Sequence, residues 1–328
     1  MNWAQAEFHD LELGDARRTH RLIKLVDDLS AQPTGSIPRA CGGWPETKAA
    51  YRLLDNPAVE WREILDVHTQ RTVERMVGRP VVLCIQDTTE LDFTTQPGIA
   101  GLGRLSYEDQ HGLYVHLTLA ATPVGVALGV LDAWMWARKP KDQPDVKEST
   151  RWVEGYEIVA DLAGAAPDSR LVYVADREGD LRALIDAAAR RGTPADWLIR
   201  SKHDRKTTTG EKLWARLARS GPLGEVEFAL PAAPDRPARR VRQTLYCEVV
   251  TLPAHHGQPA VTVTAILARE ERPPAGEKAI EWRLLTNRTA ETLEQVVELI
   301  DWYRRRWLVE IFFRIWKSGC RVEALQLA

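Results

Sequence analysis

After Asp15, apolar residues fall at Leu22, Leu25, Val26 and Leu29, the spacing of one helical face, and Asp15 stands where a side-chain cap is needed. The stretch Gln32-Pro33-Thr34-Gly35-Ser36-Ile37-Pro38 is rich in turn formers and ends that helix. Further helices are predicted over Thr47–Leu54, stopped by Asp55-Asn56-Pro57, and from about Val59 to Met76. The pattern then changes. Pro80 to Gln86 is a short, nearly continuous apolar run, as in a strand buried on both faces, and it is read as ending at Asp87. Strands over Gly112–Ala121 and Gly125–Met135, a helix over Glu148–Leu162, a buried strand Leu171–Ala175 ending at Asp176, an amphipathic helix Leu181–Arg190 and a strand Trp197–Arg200 follow. The order is β-β-β-α-β-α-β. Candidate strands Glu225–Leu230, Arg242–Leu252, Val261–Ala268 and Trp282–Thr286 then form a proline-rich β segment, read as an insertion. A final helix capped near Thr289 is predicted to run unbroken to about Ser318, where Gly319 supplies a stop.

Four regions result: a helical domain over 1–75, a core over 76–206, an inserted β subdomain over 207–286, and a last core helix within 287–328. No run of apolar residues approaches the ~18 of a transmembrane helix, and the N-terminus lacks the basic start and apolar run of a secretory signal. Cys41, Cys84, Cys247 and Cys320 are far apart, which excludes a zinc ribbon by spacing and fits a reducing, cytoplasmic setting. The formal net charge of −2 excludes a histone-like polycation, but the average hides a skew. From Arg200 to Leu245 eleven Lys or Arg stand against five Asp or Glu, and from Trp302 to Lys317 five basic residues stand against Glu310 alone. Such local fields suit a polyanion, although charge runs also occur as plain solvated faces.

Asp87 and Asp176 each follow a buried apolar run, and the carboxyl ends of strands are where ligand-binding groups collect in α/β sheets. A lone acid there is commonly a cap or turn former. Two of them, with a third acid on a basic helix, shift the balance toward a ligand-binding role. On an unbroken final helix Tyr303, Arg306, Glu310 and Lys317 would fall within an arc of roughly 60°, a line of phenol, guanidinium, carboxylate and ammonium. Trp302, Trp307, Phe312, Phe313 and Trp316 would bury much of the remaining circumference. Gly101-Leu102-Gly103 is too poor a glycine fingerprint, and too badly placed, for a dinucleotide site. His111, His116, His255 and His256 lack metal-ligand spacing; His116 reads first as a packed or hydrogen-bonded core histidine, with an approach to a metal site as the alternative. Of the twelve tryptophans most read as core, and Trp282 alone has a positional case for function.

Tyr303-x2-Arg306-x3-Glu310-x6-Lys317 is similar to the signature of the insertion-sequence-four transposases. Ile85-Gln86-Asp87-Thr88-Thr89 and Asp176-Arg177-Glu178 resemble that family's two catalytic-aspartate segments, and Arg200-Ser201-Lys202-His203 its basic strand end. Glu281-Trp282-Arg283-Leu284-Leu285-Thr286 resembles the strand bearing its base-stacking tryptophan. Trp3-Ala4 with Leu13-Gly14-Asp15-x-Arg17-Arg18 resembles its N-terminal DNA-contacting helix, and Ala50-Tyr51-Arg52-x3-Asn56-Pro57 a further segment. The resemblance is ordered and covers residues 3 to 319.

It implies a ribonuclease-H-like mixed-sheet core with an N-terminal helical domain and an inserted β-rich subdomain. It also implies an Asp87, Asp176, Glu310 triad holding two Mg²⁺ ions, with Mn²⁺ able to substitute. Arg17, Arg18, Arg200, Lys202, Trp282, Tyr303, Arg306 and Lys317 would then contact double-stranded DNA, at element ends and target, in a nucleoid-associated homodimer. The family continues past the glutamate helix through another core helix and a dimerisation domain, whereas this chain stops at Ala328. The resemblance therefore implies a truncated copy, a fragment, or a protein completed by a second reading frame. Three readings stay open: a transposase, a metal-dependent nuclease without strand transfer, and a non-catalytic DNA-binding remnant.

Overall fold

The computed structural model describes residues 2–140, 142–230, 232 and 237–325; Asp235 and Arg236 of the basic stretch, and Gln326-Leu327-Ala328, lie outside the described residues. Five helices come first: α1 (Trp3–Phe8), α2 (Ala16–Ala31), α3 (Ile37–Cys41), α4 (Trp44–Leu54) and α5 (Trp61–Met76). Asp15 caps α2 by accepting the Arg17 N–H at 2.8 Å. α3 lies where only turns are expected, because Ser36 caps it and Pro38 fits a first turn. Then come β1 (Val81–Asp92), β2 (Gly103–Arg104), β3 (His111–Ala121), β4 (Ala127–Trp136), α6 (Thr150–Leu162), β5 (Arg170–Ala175), α7 (Arg182–Arg190) and β6 (Asp196–Arg200). The order β-β-β-α-β-α-β holds, with the two-residue β2 added. After it come α8 (Leu213–Leu217), β7 (Gly224–Leu230), β8 (Arg239–Leu252), β9 (Val261–Arg269), β10 (Glu281–Thr286), α9 (Leu293–Arg304) and α10 (Trp307–Arg314).

Two expectations are corrected. β1 does not stop at Asp87 but runs on to Asp92. Its apolar half gives way to Thr88-Thr89, whose branched Cβ atoms suit a strand as well as the valines before them. The final helix is not continuous. α9 closes with Arg306 N–H on Tyr303 C=O at 3.0 Å, α10 begins at Trp307, and Ile315–Gly319 is a π turn. Tyr303, Arg306, Glu310 and Lys317 therefore do not share one helical stripe.

The chain forms two compact units, Met1–Arg79 with Gln86–Arg151 and Trp307–Ala328, and Pro80–Ile85 with Trp152–Arg306. In the first, the N-terminal helices close over Phe8, Leu11, Leu22, Leu25, Ile37 and Leu53. β3 pairs antiparallel with β2 and β4, and α5 lies on β4, where Thr69 donates to the Leu131 carbonyl at 2.9 Å. β3 also approaches β1 so closely that a Cβ at Gly112 would sit 1.9 Å from the Leu91 carbonyl oxygen.

In the second unit, the first residues of β1 pair parallel with β5, and β5 parallel with β6. β6 pairs antiparallel with β10, and β9, β8 and β7 follow, each antiparallel to the last. The inserted strands thus extend the core sheet. Leu171 to Ala175 are fully buried, as the apolar run requires. Tyr156 of α6 donates to the Ala195 carbonyl at 2.9 Å and Tyr173 of β5 to that of Trp152 at 3.0 Å, so both buried phenols are satisfied. A helical N-terminal region followed by this mixed sheet is the ribonuclease-H-like arrangement. No helix among the described residues is long and apolar enough to cross a membrane.

Candidate catalytic and DNA-facing residues

In the first unit Asp87 sits within β1, half-buried, with its Oδ1 accepting the Thr88 N–H at 2.9 Å. Its neighbours Gln86 and Thr88 hydrogen-bond to His116 of β3, so by strand alternation the aspartate is on the other face. Burial and the Arg151 charge push the His116 pKa down to about 4. Glu310 lies in the first turn of α10, also half-buried. Lys317 is drawn inward: its Nζ donates to the Glu90 carbonyl at 2.6 Å and stands 3.4 Å from Glu323, whose carboxylate accepts the Asp92 N–H at 3.0 Å. Of the two N-terminal arginines, Arg17 is exposed and paired with its own helix cap Asp15 at 2.8 Å. Arg18 is half-buried and holds the Leu13 carbonyl at 3.1 Å.

In the second unit Asp176 ends β5 and caps the short turn Arg177–Gly179, accepting the Glu178 N–H at 2.7 Å. Gly179 is needed there, since a Cβ would come within 2.6 Å of the Ala175 side chain. Tyr303 is buried, which raises its phenol pKa; Arg306 and Arg200 oppose that rise and Asp176 adds to it. Asp176, Arg200, Tyr303 and Arg306 are therefore brought together, although the phenol is not a solvent-facing group. Arg200 ends β6 and donates to the Glu281 carbonyl at 3.3 Å; Lys202 is exposed just beyond it. Trp282 of β10 is half-buried and stacks on Phe228 with ring centroids 5.4 Å apart and planes 19° from parallel. Tyr303 meets it edge-on at 6.3 Å, and the Arg304 guanidinium covers Phe228 at 4.6 Å.

The basic skew shrinks on folding. Arg205, Arg216, Arg219, Arg239, Arg240 and Arg242 all pair with carboxylates. Trp307, Ile311 and Ile315 are exposed, so the expected burial of the last helix on most sides is also corrected.

A residue that sequence reasoning passed over is Asp180. Its buried Oδ2 accepts from Ser201 Oγ at 3.0 Å and from the Lys202 and His203 N–H groups at 2.6 and 2.9 Å, while Oδ1 faces Arg205 at 2.6 Å. The only sequence signal is its place four residues after Asp176.

The three acids expected to hold metal are distributed over both units, Asp87 and Glu310 in the first, Asp176 in the second. An all-carboxylate donor set is the chemistry Mg²⁺ takes. Among the described residues no three His, Cys, Asp or Glu side chains converge closely enough to hold a metal ion as they stand.

Residues 156–328 match the family described as the transposase DDE domain, over half of the chain. The chain belongs to that family. Asp176 and Glu310 fall inside the match and Asp87 before it. Residues 1–59 match the family described as transposase DNA-binding, which takes in Arg17 and Arg18. Among solved structures, the chain is similar to piggyBac transposase in a cryo-EM structure of its synaptic complex with hairpin DNA. The identity is 10%, the TM-score 0.47, and the match covers 99% of this chain and 65% of that one.

Proposed function

We propose that the protein is an insertion-sequence transposase of the insertion-sequence-four kind. It would cleave phosphodiester bonds at the ends of its element and join the freed 3′-hydroxyls to target DNA. What carries the reading is the match to the transposase DDE domain over residues 156–328. In the first step water attacks phosphorus, a P–O bond forms, and the bond to the 3′-oxygen breaks to release a 3′-hydroxyl. That hydroxyl attacks a phosphorus of the opposite strand and displaces the 3′-oxygen of the flanking DNA to close a hairpin; water then attacks the hairpin phosphorus and releases the 3′-hydroxyl again, and this hydroxyl displaces a 3′-oxygen in the target. Asp87, Asp176 and Glu310 would hold two Mg²⁺ ions, or Mn²⁺, which supply Lewis-acid polarisation of the phosphoryl group. Arg200 and Arg306 offer guanidinium forks to backbone phosphates, and Lys202 an ammonium. Arg17 would contact DNA from the helical domain, with Arg18 setting the loop before it. Partners are double-stranded DNA and, in the synaptic complex, a second copy of the chain.

The test is a labelled element-end duplex incubated with the protein, a supercoiled target and Mg²⁺ or Mn²⁺. Joined product that disappears in Asp87→Asn, Asp176→Asn and Glu310→Gln supports the reading. Cleavage without joining would assign a nuclease, and end binding without cleavage a DNA-binding remnant.

A further inference from the structure

Asp87 is bracketed from behind. Its neighbours Gln86 and Thr88 point to the face of β1 opposite the aspartate, and there both meet one imidazole. His116 is 1% exposed; its Nδ1 is 2.9 Å from Thr88 Oγ1 and its Nε2 3.1 Å from Gln86 Oε1. The Gln86 amide nitrogen is committed elsewhere, donating to Thr118 Oγ1 at 2.7 Å. The donor directions follow by elimination. Gln86 offers His116 its carbonyl oxygen, so Nε2 carries the proton. Nδ1 must then accept, and the Thr88 hydroxyl donates to it. Thr118, Gln86, His116 and Thr88 thus form a hydrogen-bonded chain on two adjoining strands within one compact unit.

We propose that His116 is a positioning residue for Asp87. By tying the residues immediately before and after it to β3, the imidazole fixes the strand's local twist and therefore the direction in which the carboxylate leaves the backbone. The Asp87 Oδ1 accepts the N–H of Thr88, one of the two residues so tied, which couples the carboxylate's rotamer to the bracket. Outer groups that orient a metal-binding carboxylate commonly set affinity by 10–100-fold without touching the ion. The inference rests on the reading of Asp87 as a metal-holding carboxylate.

The experiment is a Mn²⁺ titration of the full chain without DNA, followed by the electron paramagnetic resonance signal of free Mn²⁺, with a thermal melt of each variant. Asp87→Asn should abolish the binding. His116→Phe fills the same space without hydrogen bonds, and Thr88→Val removes only the hydroxyl; each should weaken Mn²⁺ binding roughly 10–100-fold. The double variant should be no weaker than His116→Phe alone, because the two changes break one device. Thr88→Ser, which keeps the donor, should retain the affinity of the parent. If His116→Phe fails to fold, Thr88→Val against Thr88→Ser decides. Parental Mn²⁺ affinity in Thr88→Val and in a folded His116→Phe, with binding lost in Asp87→Asn, overturns the positioning role and leaves the metal site standing. Parental affinity in Asp87→Asn overturns both.

Discussion

Asp180 shows how much one buried carboxylate can organise. It collects three hydrogen bonds on one oxygen and faces Arg205 with the other, and so fixes the turn Ser201-Lys202-His203 that follows Arg200 at the end of β6. Removing one partner of such a pair leaves an uncompensated buried charge, a cost of about 3–5 kcal/mol. Asp180→Ala should therefore lose about that much in urea unfolding, and its DNA affinity should fall even where the protein remains folded. An effect below 1 kcal/mol would mean that solvent reaches Arg205 freely. Trp282 carries a different expectation. Phe228 stacks on its ring, so the indole is held in one plane before any DNA arrives. Aromatic stacking on an extruded base is worth ~1–3 kcal/mol, so Trp282→Ala should slow hairpin formation by roughly tenfold to a hundredfold while first-strand nicking changes much less. Equal losses in both steps would reduce Trp282 to a structural role. Asp176 was legible in the sequence because a buried run ends beside it. Asp180 was not, because its partners Ser201, Lys202 and His203 come from beyond the next helix and strand.

At the scale of elements, periodicity carried far but stopped at two places. β1 is longer and the final helix shorter than the pattern predicts, for opposite reasons. Thr88-Thr89 continue a strand without looking apolar, while Tyr303 to Phe313 contains neither Gly nor Pro and so hides the turn at Arg305-Arg306. Most of the remaining elements follow the pattern because their burial does: β5 and the first half of β1 are covered on both faces, as their apolar runs require. What no periodicity announces is the stack along β4. The Arg62 guanidinium lies 4.5 Å from the Trp61 ring and 5.4 Å from Trp134, and Arg151 lies 4.0 Å from Trp134 and 5.6 Å from Trp136. Trp136 then stacks on Tyr114 at 5.4 Å, and Arg138 covers Tyr114 at 4.2 Å. This alternation fastens the start of α5, Arg138 two residues past β4, and Arg151 at the start of α6 to the β3–β4 hairpin. Trp134 is shared by two cations, so Trp134→Ala should cost about 3–5 kcal/mol by chemical denaturation. Arg62 is exposed, and Arg62→Ala should cost only about 0.5–1 kcal/mol. Comparable losses in the two variants would show that the ring is not the shared support.

For the molecule as a whole, two consequences of charge placement can be measured. The first concerns acid. His68 bridges α1 to β4, with Nδ1 2.6 Å from the buried Glu7 and Nε2 accepting the Val130 N–H at 3.0 Å; burial lowers its pKa, and His116 is lowered to about 4. A histidine whose folded pKa lies below the unfolded ~6.5 binds fewer protons folded than unfolded, so its contribution is complete above that value and is lost as pH falls toward the folded pKa. The Glu7 carboxyl, held low by Arg75 and His68 against the effect of burial, adds a loss in the same direction below its ordinary value of 4.5. The melting temperature should fall steadily from pH 7 to pH 4, and His116→Phe should flatten part of that fall; a pH-independent melt would contradict the buried neutral imidazoles. The second consequence concerns DNA. Counting basic residues between Arg200 and Leu245 overstates the field that DNA would meet, because six arginines there already face carboxylates. Arg239 is the clearest of these: it forms an ion pair with Glu270, and both side chains are almost wholly buried, 10% and 3% exposed. Lys202 is exposed at the strand end. Each phosphate neutralised on duplex DNA contributes roughly −0.9 to the slope of log affinity against log salt. Lys202→Ala should therefore make that slope shallower by about one unit with little change in stability. Arg239→Ala should do the reverse, lowering stability by about 3–5 kcal/mol and leaving the slope of the folded fraction unchanged. A slope that responds to Arg239 and not to Lys202 would move the DNA path off the strand end and onto the inserted β layer.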